Sequence, residues 1–181
     1  MRFPEKEIIL KDGCTAILRS PSPEDAEEML PFLTQVMGET NYLLSTPDEF
    51  SMPPEKEAAF LQRLDADENS MMLNCVIDGK IVGNCSIFRN SKVKIRHRAS
   101  LAIAILHNYW GLGIGTALFQ ELIRVAEDWE LTQLELGFLE GNDRARGLYE
   151  KMGFHVVGVI PNAVHQPDGT FVNEYQMVRP M

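Results

Sequence analysis

The chain has 181 residues, 45% of them hydrophobic and 24% charged, which is ordinary for a soluble globular protein and predicts one domain over residues 1–181. Its formal net charge of −9 argues against nucleic acid as a partner, because phosphate contacts need clustered Lys and Arg. Its apolar runs are too short for a membrane span, and the first residues, MRFPEKEIIL, lack the apolar region of a secretory signal.

Cap and turn residues mark the elements in the first half of the chain. Ser22, followed by Pro23 and two acids, is a typical helix start, and the sequence PPE from Pro53 marks a second one. Asp78-Gly79 between two apolar runs indicates a two-residue hairpin turn. We therefore predict strands at 15–19, 71–77 and 80–88 and helices at 22–37 and 53–67.

In the second half, strands alternate with helices. The apolar run LAIAIL from Leu101 indicates a central strand that is covered on both faces, and Asn142 or Asp143 caps a last helix that ends at Gly153. We predict strands at 98–106, 133–138, 155–164 and 171–179 and helices at 113–130 and 142–152. The order of elements predicts a mixed α/β fold with a mostly antiparallel central sheet of about seven strands, flanked by about four helices.

A glycine loop connects the LAIAIL strand to the next helix. Gly111, Gly113 and Gly115 occupy alternate positions, just where unpaired N–H groups and the helix dipole favour an anion such as phosphate. The spacing does not fit a dinucleotide fingerprint, whose third glycine is replaced here by Thr116, and the loop lacks the Lys of a P-loop. From this loop alone, a plain glycine-rich turn between strand and helix is favoured over a phosphate site.

Two stretches in this region resemble a known family. YWGLGIGTAL, from Tyr109, resembles the acyl-CoA-binding motif of the GNAT N-acetyltransferase superfamily, and NDRARGLYEKMGF, from Asn142, resembles its second signature. The two occur in the family's order, and the predicted order of elements matches as well. The resemblance implies an enzyme that moves an acetyl group from acetyl-CoA to a primary amine, with a small-molecule amine favoured, by direct attack in a ternary complex.

The resemblance also implies roles for individual residues. Backbone groups of Ile103, Ala104 and Ile105 would bind the pantetheine arm, and one N–H there would hold the oxyanion. Asn142 would contact the pantetheine, and Tyr149 would donate a proton to the departing thiolate. The residues that would wrap the pyrophosphate are Trp110, Gly111, Leu112, Gly113, Ile114, Gly115 and Thr116.

The chain departs from the family pattern in two places. Relatives commonly have Arg or Gln at the position of Trp110, whose side chain offers one N–H and no charge, so we expect Trp110 to be a packed anchor. Many relatives have a catalytic carboxylate near the position of Ser100, and Ser is a poor base. Other candidates for the base are His97, Glu39, Glu140, Glu174 and a chain of water molecules.

Several alternatives stay open from the sequence. The acceptor could be a protein or peptide amine, and acids early in the chain such as Glu39, Asp48 and Glu49 could attract a cation or simply lie in a solvated loop. A non-catalytic CoA-binding module is a second class of function. We expect no bound metal, a possible homodimer, and a cytoplasmic protein with reduced thiols, because Cys14, Cys75 and Cys85 form neither a metal pattern nor a disulfide framework.

Overall fold

The computed structural model describes residues 2–181, which form one open sheet of eight strands and four α-helices. The strands are β1 Lys6–Ile9, β2 Thr15–Arg19, β3 Ser70–Ile77, β4 Lys80–Arg89, β5 Arg98–Ile105, β6 Gln133–Leu139, β7 His155–His165 and β8 Phe171–Pro180. The helices are α1 Ala26–Gly38, α2 Pro54–Ala66, α3 Ile114–Asp128 and α4 Asp143–Lys151. Along the sheet the order is β1-β2-β3-β4-β5-β6-β8-β7, and only β5 and β6 run parallel. Within residues 2–181, no helix is long and apolar enough to cross a bilayer.

The structure confirms the mixed, mostly antiparallel sheet and corrects its size from about seven strands to eight. The sequence does not predict β1, because four residues with two charges give too short a pattern. β1 pairs with β2 alone, in a register that sets Ile8 opposite Ala16. The turn between β1 and β2 carries Lys11, whose backbone N–H donates to the Leu112 carbonyl in the glycine loop at 3.0 Å.

Helices cover both faces of the sheet. Each face carries a cluster of buried hydrophobic residues. Met29 on α1 belongs to the cluster on one face, and Leu118 on α3 is fully buried in the cluster on the other. Because successive side chains of a strand point to opposite faces, β5 contributes to both layers. Ile103 and Ile105 pack with the α3 cluster, while Ala104 packs with the α1–α2 cluster.

The sheet opens between its two parallel strands. β5 and β6 are paired only from Arg98–Ser100 to Gln133–Glu135, so the β5 edge beyond Ser100 is left free. The Leu106 N–H donates to Val82 on the β4 side. Because N–H groups alternate along a strand, those of Ile103 and Ile105 point to the free edge instead. The free edge leads directly into the glycine loop and the first turn of α3.

Candidate functional site

A cavity of about 270 Å³ lies where the free edge of β5, the glycine loop and α4 meet. Eleven of the twelve site residues predicted from the sequence line it: Ile103, Ala104, Ile105, Trp110, Gly111, Gly113, Ile114, Gly115, Thr116, Asn142 and Tyr149. Leu112 is the exception, because its side chain packs against the core cluster and its carbonyl accepts from Lys11. Ala104 lines the cavity too, but it lies opposite Asn84, and its backbone N–H points to β4 rather than to the free edge. Ile103 and Ile105 therefore hold the β5 N–H groups that a ligand in this cavity can reach.

The glycine loop has a backbone that needs glycine at two points. Gly111 and Gly113 have φ angles of +83° and +99°, a region that residues with a Cβ rarely adopt. Gly113 is the residue before α3, and the Ala117 N–H donates back to its carbonyl at 3.0 Å. The first turn of α3 thus presents unpaired N–H groups to the cavity, which suits an anion.

Space, rather than φ, explains the third glycine of the loop. A Cβ on Gly115 would lie 2.8 Å from Leu148 Cδ2 and 3.4 Å from Ile105 Cδ1. The missing side chain lets α3 pack closely against both α4 and the end of β5.

Trp110 is held inside the site by its own polar group. Its Nε1–H donates to the Ile105 carbonyl at 2.7 Å, and its ring lies 4.5 Å from that of His107. The Arg144 guanidinium lies 4.9 Å above the indole, a distance at which a cation is attracted to the ring. The single N–H donor of Trp110 is therefore already used, and no side-chain donor of this residue is left for a phosphate.

Two further elements brace the segment between β5 and α3. One Glu39 oxygen accepts the His107 backbone N–H at 2.6 Å, and the other accepts from Gln35 Nε2 at 2.8 Å. From the β1–β2 turn, Lys11 holds Leu112 through the backbone bond described above. The loop is thus fixed from the end of α1 and from the β1–β2 turn, so its shape does not have to be created by a ligand.

Tyr149 lies on the inner face of α4 and is 7% exposed. It packs against the rings of Phe119, Phe138 and Phe154. Within residues 2–181 the Tyr149 hydroxyl has no hydrogen-bond partner. No fully buried side-chain polar atom in these residues lacks a partner, so the hydroxyl is not fully buried and opens on the cavity that Tyr149 lines. Burial raises the pKa of Tyr149 to about 12. The hydroxyl is therefore a neutral donor at physiological pH, directed at whatever the cavity binds.

Asn142 combines a structural contact with an open group. Its Oδ1 accepts the Ala145 N–H at 3.2 Å and caps α4, while the amide nitrogen makes no hydrogen bond with another described residue. Next to it, the Tyr42 hydroxyl donates to the Gly141 carbonyl at 2.8 Å. This bond ties the α1–α2 connection to the start of α4 beside the cavity, which both Tyr42 and Asn142 line.

The candidate bases do not converge on the cavity. Among the described residues that line it there is no carboxylate and no His. Ser100 lies where β5 and β6 are still paired. His97 precedes β5, and its carbonyl accepts the Thr132 N–H. Glu140 accepts the Asn173 N–H, and Glu174 accepts from Gln176.

The cysteines do not provide a nucleophile at this site. No cysteine lines the cavity among the described residues. Cys75 and Cys85 are buried in the core, and burial raises the pKa of both thiols, that of Cys75 to about 12. Cys14 is exposed in the β1–β2 turn, where the neighbouring Asp12 raises the pKa of its thiol. All three are therefore thiols rather than thiolates at neutral pH.

Because both Glu39 oxygens are engaged in holding the chain, we expect Glu39→Gln to change kcat by less than about threefold, as the amide oxygen can still accept the His107 N–H. A general base at this position would instead lose on the order of 10²-fold or more. The measurement is kcat against pH for both proteins. A large loss of kcat, with the fold and stability unchanged, would contradict the bracing role and restore Glu39 as the base.

Comparison with known proteins agrees with this geometry. Residues 39–154 match the acetyltransferase (GNAT) family. The chain is 26% identical over 129 residues to the L-amino acid N-acetyltransferase AaaT of Escherichia coli. The matched region covers 71% of this chain and 79% of AaaT.

Solved structures give the same result. A GNAT-family acetyltransferase from Streptococcus pneumoniae superposes with a TM-score of 0.86 at 29% identity, covering 92% of this chain and 99% of the other. The Salmonella typhimurium protein yncA, solved with its cofactor acetyl-CoA, shares the fold at 16% identity with a TM-score of 0.79, covering 91% and 93% of the two chains. The chain therefore belongs to the GNAT family of acetyltransferases, and acetyl-CoA is its acetyl donor.

Proposed function

We propose that the protein transfers the acetyl group of acetyl-CoA to the primary amine of a small molecule, by direct attack of the amine on the thioester in a ternary complex. The observation that carries this proposal is the free edge of β5, which leads into the glycine loop within one cavity. That arrangement can hold an extended, phosphate-bearing donor along its length. It leaves the Tyr149 hydroxyl facing the same space.

The donor is held mainly by backbone groups. The pantetheine arm extends along β5 and uses the free N–H groups of Ile103 and Ile105, with the open amide of Asn142 nearby. The pyrophosphate takes the loop of residues 110–116, whose N–H groups belong to the first turn of α3. One of the β5 N–H groups stabilises the oxyanion that forms when the thioester carbon becomes tetrahedral. A chain with a net charge of −9 can bind polyanionic CoA in this way without a cluster of cationic side chains.

The groups that surround the cavity support direct attack. A covalent acetyl-enzyme needs an activated nucleophile, and neither Cys nor Ser lines the cavity among the described residues. Thr40 and Thr116 do line it, but no carboxylate or His among the described lining residues is available there as a base to activate their hydroxyls. In the direct reaction the amine nitrogen forms a bond to the thioester carbon, the C–S bond breaks, and CoA leaves as a thiolate. Tyr149 is placed to donate a hydrogen bond to that sulfur.

The amine must lose a proton before it attacks. A primary amine with an ordinary pKa near ~10.4 is protonated at pH 7, and reaching the neutral form there costs about 4–5 kcal/mol. Because no carboxylate lines the cavity among the described residues, we infer that water carries the proton away. The rate should therefore rise with pH until the pKa of the acceptor amine itself is reached.

Two observations favour a small acceptor over a protein chain. The Tyr42–Gly141 hydrogen bond joins the α1–α2 connection to the start of α4 at the wall of the cavity, which Tyr42 lines, and Gln166 Nε2 donates to the Asn41 carbonyl beside it at 3.1 Å. These bonds narrow the side from which an acceptor enters. The name of the relative AaaT also specifies a small amine, an L-amino acid.

The test is thiol release from acetyl-CoA in the presence of amino acids, polyamines, aminoglycosides and short peptides, with the acetylated product identified by mass spectrometry. We expect release with one class of small amine and intersecting double-reciprocal plots when both substrates are varied. Parallel plots would overturn direct attack. Turnover of peptides alone would overturn the small acceptor, and CoA binding without turnover of any amine would favour the non-catalytic module.

A further inference from the structure

The turn between β1 and β2 places a lysine against the glycine loop. The Lys11 backbone N–H donates to the Leu112 carbonyl at 3.0 Å, which fixes the turn to the loop. A Cβ built on Gly113 would lie 3.8 Å from Lys11 Cγ and 3.9 Å from Lys11 Cε, so the aliphatic stem of the lysine follows the loop backbone. Lys11 also lines the cavity. Its ammonium, one bond beyond Cε, therefore lies beside the start of α3.

This ammonium is not neutralised inside the protein. Within residues 2–181, Lys11 makes no salt bridge and no side-chain hydrogen bond. The adjacent carboxylate of Asp12 accepts the Cys14 N–H instead. An unpaired cation on an acidic protein, next to the N-terminus of a 15-residue helix, adds to the positive potential that the helix already creates there.

The loop itself lacks a charge at its first position. Trp110 has no charge to offer, and its N–H is used by the Ile105 carbonyl. The Arg144 guanidinium, from α4, lies over the indole at the start of the loop, whereas Lys11, from the β1–β2 turn, meets the loop at Leu112 and Gly113. Lys11 thus places a positive charge beside a loop whose own first residue, Trp110, carries none.

We propose that Lys11 binds the pyrophosphate of acetyl-CoA and supplies the positive charge that Trp110 does not. This inference rests on acetyl-CoA lying in the cavity as proposed above. The ammonium donates charge-assisted hydrogen bonds to phosphate oxygens, while the backbone N–H groups of the loop hold the same group from the α3 side. The β1–β2 hairpin is then part of the donor site, although it lies about 100 residues before the loop in the chain.

The test measures binding of CoA by titration calorimetry to Lys11→Ala, Lys11→Arg and the matched control Lys94→Ala. Lys94 is an exposed lysine in the connection between β4 and β5 and does not line the cavity. Lys11→Ala removes the ammonium but keeps the backbone bond to Leu112, so the melting temperature should not change. We expect CoA to bind roughly fivefold to tenfold more weakly, most of the affinity to return with Arg, and no change for Lys94→Ala. The difference should shrink as salt is raised.

Truncated ligands identify the phosphate that is bound. The loss caused by Lys11→Ala should persist with 3′-dephospho-CoA and disappear with pantetheine, tested at millimolar concentration. An equal loss with pantetheine would overturn the proposal in favour of a purely structural role, and a loss that vanishes with 3′-dephospho-CoA would move the contact to the 3′-phosphate. Unchanged CoA affinity would also overturn it. Since binding needs no acceptor, failure to find an amine substrate does not affect this result.

Discussion

Tyr149→Phe is expected to lower kcat by roughly 10- to 100-fold while leaving the affinity for acetyl-CoA within about twofold of the original. The phenol hydroxyl opens on the cavity and has no partner among the described residues, so it is free to serve the reaction. The pKa of about 12 keeps it protonated, and full proton transfer to a thiolate with an ordinary pKa near ~8.5 would be uphill by roughly 5 kcal/mol. We therefore expect Tyr149 to act by a hydrogen bond to the sulfur that strengthens as negative charge develops there.

The measurement is steady-state kinetics of both proteins between pH 7 and pH 10, together with their melting temperatures. Because Tyr149 stays neutral over this range, the ratio of the two kcat values should not depend on pH. The substitution removes no hydrogen bond within the described part of the chain, so stability should be unchanged, and the ring contacts to Phe119 and Phe154 are kept. An unchanged kcat would remove Tyr149 from the mechanism.

The sequence was most informative where several local signals agree. The glycine loop is bounded by an apolar strand and an amphipathic helix, and both the positive φ angles of Gly111 and Gly113 and the position of the loop at the start of α3 follow from that pattern. The hairpin turn at Asp78-Gly79 is predicted from equally local signals, and the structure confirms it between β3 and β4. Residues of this kind are fixed by their neighbours in the chain.

The contacts that shape the site are not local, and they could not be predicted in this way. Lys11 meets Leu112 only because β1, a four-residue strand with a weak pattern, joins the edge of the sheet. Glu39 resembles an acid in a solvated loop until the fold brings the His107 N–H to its carboxylate. The free edge of β5 likewise depends on where pairing with β6 stops, which is decided by tertiary packing rather than by the composition of either strand.

Trp110→Ala is expected to reduce the free energy of unfolding by about 2 kcal/mol and to weaken CoA binding by less than about threefold. The indole is half-buried, so the cost is below that of a fully buried Trp. It includes the hydrogen bond to the Ile105 carbonyl and the contacts with His107 and Arg144. Affinity suffers less, because the loop is still held through Glu39 and Lys11 and because the Trp110 side chain has no free donor for phosphate.

Trp110→Phe separates packing from the hydrogen bond. It keeps a ring beneath the Arg144 guanidinium but cannot donate to the Ile105 carbonyl, so most of the loss of stability should be recovered if packing dominates. Denaturant unfolding and CoA titration of the three proteins provide the comparison. A Trp110→Ala protein that unfolds like the original yet no longer binds CoA would show that the indole contacts the ligand directly. Phosphate binding would then rest on an aromatic face beside Lys11, and the backbone of the loop would have a smaller share than the geometry assigns to it.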